Sequence, residues 1–253
     1  LAIVGRVEER TRAREAVDLV VDLAAELPLQ AIAHLLGIPQ DDRHQLFAWS
    51  NATLDYDGRD LGEANARSQE AAAAMFTYGT ALVAERRAHP GGGDLLAVAA
   101  ASTDPELTEL ELQMFFNLLI AAGSETTRNS ITLGLLALAE HPDQWRAVQH
   151  DRSLVPTAVD EMLRWASANR DDAVFDDPLR FDVARRPNPH LAFGHGSHFC
   201  LGANLARTEM RLVLEAVLGR FDGLEPAGPV EHTRSNKHTG VRHAPVRLTP
   251  RPG

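Results

Sequence analysis

The chain has 253 residues, of which 44% are hydrophobic, and this is enough to fill one large core, so a disordered protein is excluded. Its net charge of −10, with no cluster of Lys or Arg, disfavours nucleic acid and anionic lipid as partners. A single cysteine excludes an intrachain disulfide, and the N-terminal residues are charged where a signal peptide would be apolar, so we expect a cytoplasmic protein.

Alanine, leucine, glutamate and arginine are abundant, which favours a mainly α-helical fold. The first fifteen residues resemble a helix interior with no N-cap, so we expect an N-terminal truncation. Helical periodicity then predicts helices over residues 18–37, 41–53, 61–88 and 94–102, separated by glycine and proline.

The longest helical pattern covers residues 110–138. Thr108 and Glu111 fit a capping box at its start, and His141-Pro142 ends it. Because this helix is apolar on every side, we expect it to cross the middle of the protein and to be buried nearly all round. Its most apolar run, residues 114–122, is too short to span a bilayer, so no membrane is expected.

The rest of the chain predicts two helices, an irregular segment, another helix and a small β-sheet. The helices cover residues 142–150, 155–165 and 201–221, the irregular segment covers 169–200, and a strand covers 246–249. An irregular segment of this length is uncommon unless it has a function.

The strongest local signal is the segment Phe193-Gly194-His195-Gly196-Ser197-His198-Phe199-Cys200-Leu201-Gly202. Its glycines allow a tight loop to approach a flat ligand, and its cysteine lies just before a helix, where a thiolate is stabilised. A lone cysteine is more often a small buried hydrophobe, but the glycine spacing favours a metal ligand. A zinc site of His195, His198 and Cys200 is an alternative, although it needs a fourth ligand.

A second signal interrupts the long apolar helix at Ala122-Gly123-Ser124-Glu125-Thr126-Thr127. A glycine costs about 1 kcal/mol in a helix interior, and buried carboxylates and hydroxyls cost more unless they are paired. Small residues would let a ligand approach the helix, and a hydroxyl beside a carboxylate could transfer protons. The alternative is a junction between two helices with Ser124 or Thr126 as an N-cap.

A third signal is the pair Glu161 and Arg164, spaced i, i+3 within a predicted helix. Taken alone, such a pair is usually a surface ion pair worth a few tenths of a kcal/mol.

Together, these three patterns resemble the cytochrome P-450 superfamily in order and spacing. The family's cysteine loop corresponds to residues 193–202, its oxygen-activating helix motif to 122–127, and its Glu-x-x-Arg pair to Glu161 and Arg164. Arg185 resembles the residue that completes a buried network with that pair. The resemblance implies the family's orthogonal helical fold, with a long central helix and a small sheet.

The resemblance also implies haem b (iron protoporphyrin IX) as the cofactor. Cys200 would be the axial thiolate, and His198 would contact a haem propionate. Thr126 would hydrogen-bond dioxygen, with Glu125 in the proton relay. The remaining residues expected to contact the haem are Phe193, Gly194, Gly196, Gly202, Ala122 and Gly123.

The implied activity is that of a monooxygenase, which inserts one oxygen atom of O2 into a C–H bond of an apolar steroid, fatty acid or terpenoid-like molecule. Electrons would come from a ferredoxin and its reductase. Residues 116–119 and 235–238 resemble bacterial members that oxidise steroid side chains. Met114, Leu118 and Ala122 are expected either to line the substrate pocket or to belong to the core.

Two segments typical of the family are missing from an otherwise single haem-thiolate domain over residues 1–253. These are the N-terminal helices and several tens of residues near 165–166, including a propionate contact. If the chain exists in this form, it should retain haem poorly and have little activity. The alternatives are therefore a truncated or inactive haem-binding homologue, a haem-based gas sensor, or a peroxide-driven oxygenase; Glu125 and Thr126 disfavour the last two.

Overall fold

The computed structural model describes residues 2–13, 15, 17–54, 65–233 and 240–252. Residues 61–64 of the helix predicted over 61–88, and the segment 235–238, lie outside these ranges. The helices are α1 (Ala2–Arg12), α2 (Glu26–Leu35), α3 (Arg43–Leu54), α4 (Ala66–Ala88), α5 (Leu95–Ala100), α6 (Glu109–Glu140), α7 (Pro142–His150), α8 (Val155–Ala166) and α9 (Ala203–Arg220). The strands are β1 (Val17–Asp18), β2 (Phe221–Pro226), β3 (Glu231–His232), β4 (Val241–His243) and β5 (Pro245–Pro250).

The mainly helical fold with a small sheet is confirmed, and most helix ends have local causes. The capping box at the start of α6 forms as expected, since the Glu111 carboxylate accepts from the Thr108 N–H at 2.8 Å and the Thr108 hydroxyl accepts from the Glu111 N–H at 3.2 Å. Asp94, which was expected inside a helix, instead caps α5 by accepting from the Ala97 N–H at 2.8 Å.

The prediction of one helix over residues 18–37 was wrong. Val17 and Asp18 form strand β1, and a π-helix (Leu19–Ala24) precedes α2. The Asp18 carboxylate accepts from the Val20 N–H at 2.9 Å, which caps the π-helix, while Val17 pairs with Val246 of β5. Similarly, α1 ends at Arg12 rather than continuing through residue 15.

The chain divides into two compact units, and each has its own packing. One unit contains α2 to α5 and α6 up to Thr126. Its core is a cluster of buried side chains from these helices and from the loop after α2: Ile32, Ala33, Leu36, Ile38, Leu46, Met75, Leu82, Val83, Leu96, Leu112, Phe116 and Ile120. Glycine permits close packing there, because a Cβ on Gly79 of α4 would lie 2.6 Å from Cδ1 of Phe116 on α6.

The other unit contains α1, β1, the rest of α6 from Thr127, α7 to α9, and the strands that follow. In its three-stranded antiparallel sheet, β5 lies between β1 and β2, and β3 pairs with β4 separately. The strand expected over 246–249 is thus the central strand of this sheet. Helix α6 approaches α8 closely at Gly134, where a Cβ would lie 2.7 Å from the Cβ of Met162.

The expectation that α6 is buried nearly all round was wrong for its N-terminal half. The exposed fractions are 62% for Leu110, 58% for Met114 and 63% for Leu118, and Ala122 and Thr126 are also exposed. Residues four apart lie on one helix face, so these five form a continuous stripe, named here the α6 stripe. Within the described residues, no helix combines the length and the apolarity needed to cross a bilayer.

Candidate functional site

The cysteine loop, residues 193–202, folds back on itself just before α9. The Cys200 N–H donates to the Phe193 carbonyl at 2.9 Å, and a 3-10 turn (Gly196–His198) forms the tip. Gly194 and Gly196 have φ values of +72° and +71°, a conformation that favours glycine. The glycine pattern therefore reports a real turn at these two positions.

Gly202 differs from the other two glycines. Its φ is −86°, which any residue adopts, and a Cβ there would lie 4.0 Å from the Cys200 Sγ, at ordinary contact distance. Backbone conformation therefore does not explain this glycine, although its expected contact with haem stays a prediction.

The loop presents the thiol on an exposed apolar surface. Cys200 is exposed, and its neighbours Phe199 and Leu201 are 54% and 81% exposed. A Cβ on Gly196 would meet no atom within 4 Å, and His198 is exposed on the same loop. A soft sulfur ligand among exposed apolar side chains fits a flat, apolar, iron-containing group.

Zinc would require more ligands than this loop provides. Within the described ranges, no group of three or more His, Cys, Asp or Glu side chains is arranged to hold a metal ion. One thiolate is sufficient as the protein ligand of a haem iron, whereas a zinc site needs three or four protein ligands.

Glu161 and Arg164 form the buried pair that the resemblance implies, and not the surface ion pair that their spacing alone would favour. Both side chains are 0% exposed, and the carboxylate accepts from the Arg164 Nε and Nη2 at 2.7 Å each. The other three guanidinium N–H groups donate to the carbonyls of Asn169, Pro178 and Arg180 at 2.8–3.0 Å. All five donors of Arg164 are thus satisfied, as a buried guanidinium requires.

Arg185 joins this pair, as the resemblance implies. Its Nε lies 3.3 Å from the Glu161 carboxylate, and its other nitrogens donate to the carbonyls of Asp176, Asp177 and Arg180 at 2.6–3.1 Å. The network therefore fixes the irregular segment that leads to the cysteine loop. Sequence reasoning missed Asn188, whose Nδ2 donates to the Glu161 carboxylate at 3.2 Å.

The polar motif of α6 lies within a continuous helix, so the alternative of a junction between two helices was wrong. The Thr126 hydroxyl donates to the Ala122 carbonyl at 2.6 Å, and both residues are exposed on the α6 stripe. Glu125 is buried, with 4% of its surface exposed. This motif up to Thr126 belongs to the other unit from the cysteine loop.

Gly123 has a packing role that the sequence did not indicate. A Cβ at this position would lie 2.8 Å from Cδ1 and 3.1 Å from Cγ1 of Ile32, so the glycine lets α2 pack closely against α6. Its contact with a cofactor stays a prediction, because close helix packing already explains the residue.

Sequence reasoning also missed Glu209 on α9. This carboxyl group is 4% exposed, and burial raises its pKa to about 7. No motif identifies Glu209, and only its position on the apolar face of α9 could have indicated burial.

Comparisons with protein families, with individual proteins and with solved structures agree with one another. The family model described as Cytochrome P450 matches residues 23–160 and 161–248. A Mycobacterium tuberculosis protein named as cytochrome P450 126 is 44% identical over 268 residues, which cover 91% of this chain and 65% of that protein. The steroid C26-monooxygenase of Mycolicibacterium smegmatis is 36% identical, covering 97% of this chain and 67% of its own length.

A solved structure also matches. A cytochrome P450 of Mycobacterium marinum in complex with pseudoionone has a TM-score of 0.87 and 30% identity, covering 96% of this chain and 68% of that one. The chain spans less than two thirds of cytochrome P450 126. The 268 aligned positions also exceed the 253 residues of the whole chain, so that alignment includes positions that this chain lacks.

Proposed function

The chain belongs to the cytochrome P450 family, and we propose that it carries a haem-thiolate centre that inserts one oxygen atom of O2 into a C–H bond of an apolar small molecule. The observation that carries this proposal is the exposed thiol of Cys200 on its apolar, glycine-containing loop. Members of this family bind haem. When bound, haem supplies the oxygen chemistry, and a thiolate ligand favours O–O cleavage.

The cysteine loop binds the cofactor in this proposal. Cys200 is the iron ligand, and the exposed side chains of Phe199 and Leu201 beside it contact the apolar surface of the cofactor. Phe193 holds the loop closed through its carbonyl, Gly194 and Gly196 allow close approach, and His198 binds a propionate. The Glu161 network supports this loop by fixing residues 169–185, which precede it in the chain.

Thr126 and Glu125 form the proton relay in this proposal. The Thr126 hydroxyl donates a hydrogen bond to the Ala122 carbonyl at 2.6 Å. A rotation of this hydroxyl would direct its hydrogen bond to dioxygen instead. The adjacent buried Glu125 carboxylate would take up a proton from water and then pass it on at that position, so that the carboxylate is unchanged at the end.

The α6 stripe is the proposed substrate-facing surface. Leu110, Met114 and Leu118 present exposed apolar side chains on one face, which ends at Ala122 and Thr126. An apolar substrate, such as a steroid, fatty acid or terpenoid-like molecule, would cover this stripe. The named activity of the M. smegmatis relative and the pseudoionone ligand of the M. marinum protein support this substrate class. Phe116, by contrast, is fully buried and belongs to the core.

A ferredoxin and its reductase are the proposed electron donors, as in soluble bacterial members of the family. The second candidate function is haem binding without turnover. The alignment positions that this chain lacks favour it. The resemblance implies that a segment with a propionate contact is among the missing parts, near residues 165–166.

Haem titration into the 253-residue chain tests the proposal. We expect one haem per chain with a thiolate-type spectrum, and Cys200→Ala should abolish that spectrum. Oxidation of an apolar substrate with a ferredoxin system would support the monooxygenase, whereas haem binding without product would support the second candidate. A wild-type chain that binds no haem would refute both.

A further inference from the structure

Three polar side chains from separate segments meet next to Phe193 of the cysteine loop, and the proposed function does not use them. Asp160 lies on α8, His190 lies in the irregular segment, and Arg207 lies on α9. The Arg207 Nε donates to the Asp160 carboxylate at 2.9 Å, and the His190 Nε2 lies 3.4 Å from the same oxygen. These three residues are named here the Asp160 cluster.

His190 is held in one tautomer by its two contacts. The Ala192 N–H donates to the His190 Nδ1 at 3.3 Å, so Nδ1 is an acceptor and the ring proton must lie on Nε2, facing Asp160. Burial alone would raise the pKa of Asp160, but its hydrogen bonds with His190 and Arg207 outweigh burial and hold that pKa below its ordinary value. Asp160 is therefore an anion between two donors.

The cluster reaches the thiol through one aromatic ring. The guanidinium of Arg207 lies over the ring of Phe193, 4.5 Å from its centroid, and the Phe193 carbonyl accepts from the Cys200 N–H at 2.9 Å. The path from Asp160 to Cys200 thus consists of one ion pair, one cation–π contact and one backbone hydrogen bond.

We propose that the Asp160 cluster is a positioning device that holds the Phe193–Cys200 turn closed and so fixes where the thiol is presented. Arg207 acts through Phe193, and His190 fixes the segment that enters the turn. This role rests on the proposed function of Cys200.

The single cysteine makes the test direct, because labelling with ¹⁵N-cysteine gives one amide resonance. We would measure hydrogen exchange of the Cys200 amide in the haem-free full chain. Arg207→Lys keeps the charge near Asp160 but lacks the planar group that stacks on Phe193. We expect exchange about two- to fivefold faster, because an ammonium replaces the stacked guanidinium only in part at this partly exposed position. Arg211→Lys, an exposed arginine on the same helix, is the matched control and should leave exchange unchanged.

A double-mutant cycle separates this role from general destabilisation. Phe193→Leu should accelerate exchange as Arg207→Lys does, and the two changes together should add little, since both break one contact. Urea unfolding of each variant distinguishes local opening from global loss of stability. Exchange that is equal in Arg207→Lys and Arg211→Lys, or fully additive effects in the cycle, would overturn the proposal. Because the exchange measurement does not use haem, its outcome is distinguishable from a failure of haem binding, which would refute the proposed function.

Discussion

Glu209 should make the stability of this chain fall as the pH rises through neutrality. Burial raises the pKa of this group from its ordinary value of 4.5 to about 7, so the folded chain keeps its proton over a range in which the unfolded chain loses it. Between these two values each rise in pH favours the unfolded state. The resulting loss in the free energy of unfolding is complete above pH 7 and amounts to about 3 kcal/mol.

Replacing Glu209 with glutamine removes the ionisable group and keeps the shape. We compare the free energy of unfolding of Glu209→Gln with that of the wild type at each pH. The advantage of the variant should be about 3 kcal/mol larger at pH 8 than at pH 4. Urea unfolding of the two chains at several pH values measures this difference. Glu215→Gln, an exposed glutamate of the same helix, is the control. A difference between wild type and Glu209→Gln that is the same at pH 4 and pH 8 would refute the reasoning.

Three further predictions concern the loop, the network and the relay. Glu161→Gln leaves two buried arginines without their carboxylate and should lower the unfolding free energy in urea by about 3 kcal/mol or more, and a loss below about 1 kcal/mol would contradict the network. Gly194→Ala should cost about 1–2 kcal/mol in the same assay because of its φ of +72°, whereas Gly219→Ala in α9 should not destabilise the chain. Thr126→Ala should release more peroxide per electron pair during turnover with a ferredoxin system, and unchanged coupling would exclude Thr126 from the relay.

Features with a local cause were predictable from the sequence. The capping box of Thr108 and Glu111 needs only residues three apart, and the glycines at 194 and 196 mark a turn that few other residues adopt. Helix α8 and the strand around Val246 followed from periodicity in the same way.

Features that depend on distant partners were not predictable. The burial of Glu161 and Arg164 depends on carbonyls of the irregular segment, and an i, i+3 pair alone gives no sign of them. In the Asp160 cluster, His190 and Arg207 follow Asp160 by 30 and 47 positions in the sequence, so no short motif contains the cluster. For Met114, Leu118 and Ala122 of the α6 stripe, the sequence left a pocket surface and the core as alternatives, because a helix that is apolar on every side does not reveal which face stays exposed.

The central claim is that Cys200 donates its sulfur to haem iron. The most direct test is the difference spectrum of the reduced, haem-loaded chain with carbon monoxide, measured for the wild type and for Cys200→His. A thiolate ligand predicts a strongly red-shifted Soret band in the wild type, and Cys200→His should bind haem without that shift. A wild-type spectrum without the shift, or the same shifted band in both chains, would contradict the account.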